Sequence, residues 1–141
     1  EASHAICHAA NGVIRVKHVH VFQENGCWVG FTSTELQPNV SQYSTIKNDL
    51  AVGSGYLAGH LGEELYTCPV LPSRHNLGEI KIVTSIMFTL FIKSEEERLD
   101  IYTSRILSRN KTPLIALANL LLIKTVIEGE ELSEMLKGVR K

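Results

Sequence analysis

Several common signatures are missing from these 141 residues, and each absence closes off a class of function. Charge of one sign is not in excess: 14 Lys and Arg stand against 15 Asp and Glu, a net charge of −1. Nucleic acid is bound by a basic face on a domain of high pI, so it is not an expected partner. Cysteine is scarce. Cys7, Cys27 and Cys68 form no C-x-x-C pair and leave an odd thiol, which argues against a disulfide framework or a cysteine-rich structural zinc site and for a reducing compartment. No apolar run reaches the ~20 residues of a bilayer-crossing helix. The longest, 80–92, is broken by Lys81 and several Ser and Thr, so no membrane contact is expected of this segment. No basic region followed by an apolar stretch marks a secretory leader. No G-x-x-x-x-G-K-[ST] phosphate loop occurs, so ATP-driven work would need sequence outside these residues.

What is present suits one domain, since a chain of this length can bury a core without disulfide staples. It opens without methionine and with a helical pattern already under way, and is expected to be a piece of something longer. In EASHAICHAA, Ala2, Ala5, Ile6 and Ala9 recur at helical spacing, and Asn11-Gly12 supplies a stop. Residues 13–22 alternate, with Val13, Val19 and Val21 among basic and imidazole side chains. After a turn at 23–26, CWVGFTST forms the partner strand of a hairpin. Residues 41–66 form a helix with a small-residue stripe at Ala51, Gly55, Ala58, Gly59 and Gly62. Each glycine costs a helix about 1 kcal/mol relative to alanine, so the stripe predicts a neighbour packed very close.

A proline-containing connector leads to a strongly apolar helix, or a buried strand, at 77–92. Ser94-Glu95-Glu96-Glu97 fits a capping box and starts a helix to about Asn110. Thr112-Pro113 supplies an N-cap and a first-turn proline for a helix to about Lys124, and a short helix follows from Gly129 to Leu136. The expected fold is mainly α (α+β): a helical bundle (41–141) with a small hairpin or sheet beside the first helix (1–36).

Glu1-Ala2-Ser3-His4 has the spacing of the last four residues of H-E-x-x-H. Two imidazoles at i, i+4 on one helical face hold zinc, and the glutamate between them takes the proton of the metal-bound water. His8, one turn after His4, forms a second i, i+4 pair with it. The simpler reading is a surface histidine near the helix C-terminus, where positive charge is tolerated. His18 and His20 alternate on one strand face and are read as solvent-facing, and His60 as a packed or capping side chain.

Four stretches in order resemble the peptidase domain of the FtsH family, membrane-bound AAA+ zinc proteases. EASHA matches the family's HEAGHA, with Ser3 for glycine. Gly30-Phe31-Thr32 matches G-[YF]-T. YLAGHLGEEL lies beside LLGGRAAEEL. Ile106-Leu107-Ser108-Arg109-Asn110 and ALANLLLIKTVIEGEEL lie beside ILxxN and LAxxLLEKExLxGEEL. The resemblance implies that Glu1 is the general base and His4 a zinc ligand, with a histidine just before Glu1 as another. It implies that Trp28, Val29, Gly30, Phe31 and Thr32 form an edge onto which an unfolded polypeptide substrate pairs as an added strand. From the residues alone, Trp28 and Phe31 fit core aromatics equally well.

The resemblance further implies a hexameric ring of identical chains, a membrane-anchored parent with this domain on the cytoplasmic side, and ATP used by a separate AAA+ module. Where the family carries an aspartate as third zinc ligand, Arg74-His75-Asn76-Leu77 places Asn76, and a neutral amide ligates zinc poorly beside a carboxylate. His75 or Glu79 are the nearby substitutes. The expected function is zinc-dependent endopeptidase. The alternatives are a degenerate relative serving as an assembly or substrate-binding module, and a plain helical scaffold unrelated to proteases. The apolar side chains at 82–91 replace charged ones of the family and predict a neighbouring domain or subunit.

Overall fold

A computed structural model describes residues 1–38, 40, 46–66 and 95–141. The connector, the 77–92 segment and the start of the 41–66 helix lie outside these, as do His75, Asn76 and Glu79. The described residues form five helices and a three-stranded antiparallel sheet, the mainly α architecture with one small sheet. In chain order they are α1 (Ala2–Asn11), β1 (Ile14–Glu24), β2 (Cys27–Leu36), α2 (Ile46–Tyr66), α3 (Glu95–Arg109), α4 (Lys111–Lys124), β3 (Val126–Glu128) and α5 (Gly129–Lys137).

Helix α1 is the hub of the core. Ala5, Ile6 and Cys7 are wholly buried, and α2, β1, α3 and α4 all pack on it. Its small residues let these neighbours approach closely. It ends where Gly12 turns left-handed at φ 67° and donates its N–H to the His8 carbonyl, a conformation that costs glycine least. The chain then reverses into β1, and the β1–β2 hairpin closes through Asn25-Gly26, whose φ values of 50° and 78° suit the two-residue turn that matches strand twist.

The sheet order is β2-β1-β3. Pairing runs from Glu24↔Cys27 through His20↔Phe31 to Ile14↔Leu36, with a bulge between Val16 and His18. The bulge shifts the side-chain phase, so Val16 and Val19, three residues apart, both reach the core. Strand β3 adds to the free edge of β1 through Val19↔Ile127 and buries Ile127. This third strand is absent from the sequence reading, because three residues between two helices carry no periodic signal.

Helix α3 buries Leu99, Thr103, Ile106 and Leu107, the i, i+4, i+7 pattern of one face, and Asn110 just after it is buried too. Helix α4 begins two residues earlier than Thr112-Pro113 suggested, with Asn110 at the N-cap position. The Asn110 side chain does not cap the helix. Its Nδ2 donates to the carbonyls of Ile106 (2.9 Å) and Arg140 (3.0 Å), and its Oδ1 accepts from the Arg140 N–H at 2.7 Å, which ties the backbone at Arg140 to the α3–α4 corner. No helix among the described residues is long and apolar enough to cross a membrane.

Candidate functional site

The face that α1 turns toward β2 and α2 carries the polar groups. Glu1 sits at the N-cap, and its carbonyl accepts the first helical hydrogen bond from the Ala5 N–H at 3.0 Å. Its carboxylate is held from the sheet, where Thr32 Oγ1 donates to Glu1 Oε2 at 2.7 Å. Gly30, two residues earlier and on the same face of β2, lies under the Glu1 side chain. A Cβ there would collide with Glu1 Cγ and come within 2.9 Å of the His20 carbonyl. The G-F-T triplet therefore works by strand alternation: Gly30 makes room for the carboxylate and Thr32, on the same face, binds it.

One turn along α1, the buried His4 ring donates from Nδ1 to the Gly55 carbonyl of α2 at 2.7 Å. A carbonyl only accepts, so Nδ1 carries a proton in this contact. Buried metal-binding histidines are oriented this way by an outer-shell acceptor. Gly55 serves a second time, because a Cβ on it would fall on the His8 imidazole. At Gly62 the intruder would meet the Ser3 side chain. The glycines of α2 thus admit side chains of α1, which is the close neighbour that the small-residue stripe predicted.

His8 corrects the sequence reading. It is buried between α1 and α2 rather than on the surface, and with Glu1 and His4 it lines one cavity of about 220 Å3. Ile14, Phe31, Thr32, Thr34, Val52 and Tyr56 complete the wall. Tyr56, Val52 and Thr34 escaped the sequence reading, since nothing in a helix or strand pattern marks which member of its face will border a cleft. For His8 the signal existed in its i, i+4 relation to His4. His18 and His20 are half-buried, with the Phe31 ring edge-on at 5.4 and 5.3 Å. His60 is partly buried on α2.

Trp28 and Phe31 are 58% and 43% exposed, so neither is a core aromatic. Strand β2, which carries them, forms one edge of the sheet among the described residues. His75 and Asn76, the expected third-ligand positions, lie outside the described residues. Among the described residues no three His, Cys, Asp or Glu side chains gather as a metal-binding group.

Behind the site, Cys7 donates to the Ser54 carbonyl at 3.4 Å, and Asn11 Nδ2 donates to Ser54 Oγ at 2.7 Å. Tyr102 closes this network by donating to Asn11 Oδ1 at 2.7 Å. Burial pushes the Cys7 thiol up to about 12, which keeps it protonated and inert as a nucleophile. Burial also raises Tyr102, and the nearby Cys7 adds to this. This cluster fastens α1 to α2 and α3 and takes no part in the cavity. A carboxylate positioned by a hydroxyl beside an oriented imidazole is an arrangement for moving a proton at a bound ligand. Neither the models of known protein families nor the curated proteins contain a match to this chain.

Proposed function

We propose that this chain is a zinc-dependent endopeptidase domain of the FtsH type, cleaving peptide bonds in unfolded polypeptides. One observation carries the reading: Glu1 and His4, the pair with H-E-x-x-H spacing, share a cavity in which Thr32 holds the carboxylate and the Gly55 carbonyl orients the imidazole. Two sequence departures also meet in space. Ser3 stands where the family string has glycine, Gly62 where it has alanine, and the serine side chain fills the room that a Cβ at 62 would need. Volume has moved from one helix to the other, as expected when a shared packing arrangement drifts.

Among the described residues His4 is the candidate ligand, its ring orientation fixed by the Gly55 carbonyl as an outer-shell acceptor fixes a metal-binding histidine. The remaining ligands are expected from a histidine before Glu1 and from His75 or Asn76. When bound, zinc supplies Lewis acidity to the scissile carbonyl and to water. Glu1 takes a proton from the attacking water and returns it to the departing amine, while Thr32 keeps the carboxylate in place through both transfers. The edge of β2 offers backbone groups to an extended substrate, and Trp28 and Val29 offer apolar contact beside it. In the same reading the energy for unfolding comes from a separate ATP-using module, in a reducing compartment that keeps Cys7 and Cys27 as free thiols.

The test is zinc content and casein hydrolysis of the full-length protein that carries this chain, in the wild type and with Glu1→Gln or His4→Ala. The expected result is one zinc per chain, hydrolysis reduced by a factor of about 100 or more by Glu1→Gln with zinc retained, and zinc lost with His4→Ala. A folded wild-type protein that takes up no zinc overturns the reading. If such a protein still binds unfolded polypeptide, the substrate-binding module takes its place.

A further inference from the structure

The cavity beside Glu1 has two chemically different ends. Glu1, His4 and His8 follow one another along α1 at about one-turn intervals, so this wall spans about 10 Å. Helix α2 runs the opposite way beside it, with Gly62 against Ser3, Gly55 against His8, and the Ala51 carbonyl accepting from Asn11 Nδ2 at 3.3 Å. Val52 therefore borders the end remote from Glu1, where Ile14, just after α1, and the His8 ring also stand. The carboxylate and Thr32 mark the other end, and Tyr56 lies one helical turn from Val52. Phe31 and Thr34 of β2 are exposed at the border, so the cleft adjoins the edge strand.

A polypeptide added to the edge of β2 sends alternate side chains to opposite faces of the sheet. Those on the face of Gly30 and Thr32 are directed toward α1, where the cleft lies. Glu1 gives its proton to the departing amine, so the side chain nearest Glu1 belongs to the residue that supplies that amine. The cavity of about 220 Å3 equals the share of about seven waters, room for an aromatic or long aliphatic side chain. An acidic side chain would meet the Glu1 carboxylate, and a basic one would carry its charge in against Ile14 and Val52.

We propose that this cleft is the specificity pocket and takes a large uncharged side chain, aromatic or long aliphatic, from the residue just after the cut. The inference rests on the peptidase reading for the position of the cut. Ile14, Val52 and Tyr56, which take no part in proton transfer, then choose the substrate. One methylene in an apolar pocket is worth about 10–200-fold in kcat/KM, so Phe at this position should be preferred to Ala by about 100-fold or more.

The test uses the full-length protein that carries this chain. Mass spectrometry of a casein digest should show new N-termini enriched in Phe, Tyr, Leu and Met. Two peptides alike except for Phe or Ala after the cut then give the selectivity. Val52→Trp, which fills the inner end, should cut the Phe-to-Ala ratio of kcat/KM about tenfold or more, with one zinc per chain retained. Val52→Ala enlarges the same end and should shift preference from Phe toward Trp. Circular dichroism checks that each variant is folded. Cleavage without preference for large residues overturns this inference alone, as does a folded Val52→Trp protein with an unchanged ratio. A wild type that holds no zinc and cleaves no peptide overturns the peptidase reading and the pocket with it.

Discussion

A methyl group added at Gly55 probes the α1–α2 contact and the histidine site together. In an exposed helix interior, Gly→Ala stabilises by about 1 kcal/mol through backbone entropy. At Gly55 the new Cβ would instead fall on the His8 imidazole, a buried ring that cannot swing into solvent without separating the two helices. Overpacking of this kind costs about 1–3 kcal/mol. The Gly55 carbonyl also receives the His4 Nδ1–H, and disturbing that bond adds about 1 kcal/mol. Gly55→Ala should therefore lose about 1–3 kcal/mol net, which in a domain of this length lowers Tm by roughly 3–9 °C. Removing the ring should reverse the sign: in a His8→Ala background, Gly55→Ala should be neutral or stabilising by up to about 1 kcal/mol. Urea unfolding of the four proteins, followed by circular dichroism, closes the cycle, and a coupling of about 2–4 kcal/mol is expected. A Gly55→Ala protein more stable than wild type, or additive substitutions, would refute the placement of His8 against α2.

Gly30→Ala should displace Glu1, because the His20 carbonyl behind it is backbone and cannot yield. The measured result should be loss of peptide hydrolysis with a stability cost of about 1–3 kcal/mol. Thr32→Val keeps the shape and removes the donor to Glu1, so kcat should fall about tenfold with KM little changed, and an unchanged kcat would deny Thr32 its positioning role. Cys7 holds its proton more tightly when folded, at about 12 against 9.0, so the folded state binds the extra proton between these values. Its contribution is complete below pH 9 and is lost as pH rises toward 12, by at most about 4 kcal/mol, and Cys7→Ala should flatten that alkaline decline in denaturation curves. Asn110→Ala should release the segment around Arg140, costing about 2 kcal/mol and accelerating hydrogen exchange at the Arg140 amide.

The elements that sequence patterns place well are those whose cause is local. Gly12 ends α1 because its neighbours need a left-handed residue there, and Asn25-Gly26 turns the hairpin for the same reason. The small-residue stripe of α2 announces a close neighbour because glycine in a helix needs a compensating contact. The G-F-T triplet and the Glu1–His4 spacing are likewise visible in the chain, since strand and helix periods decide which side chains share a face.

Other features were settled by partners remote in sequence. Whether His8 lies outside or inside depended on Gly55, 47 residues away, leaving room for its ring. The identity of the neighbour against α2 was equally hidden, because a stripe of glycines specifies space and not what enters it. The Asn110 side chain is turned from capping α4 to the backbone of the distant Arg140, and β3 exists because β1 has an edge to complete. The bulge at Lys17 decided which valines reach the core. Local sequence thus determined the helices, the hairpin and the spacing of the chemical groups, through backbone preference and periodicity acting within a few residues. Tertiary packing alone decided which of those groups share the cavity, because burial and hydrogen-bond partnership belong to pairs of surfaces and not to either one.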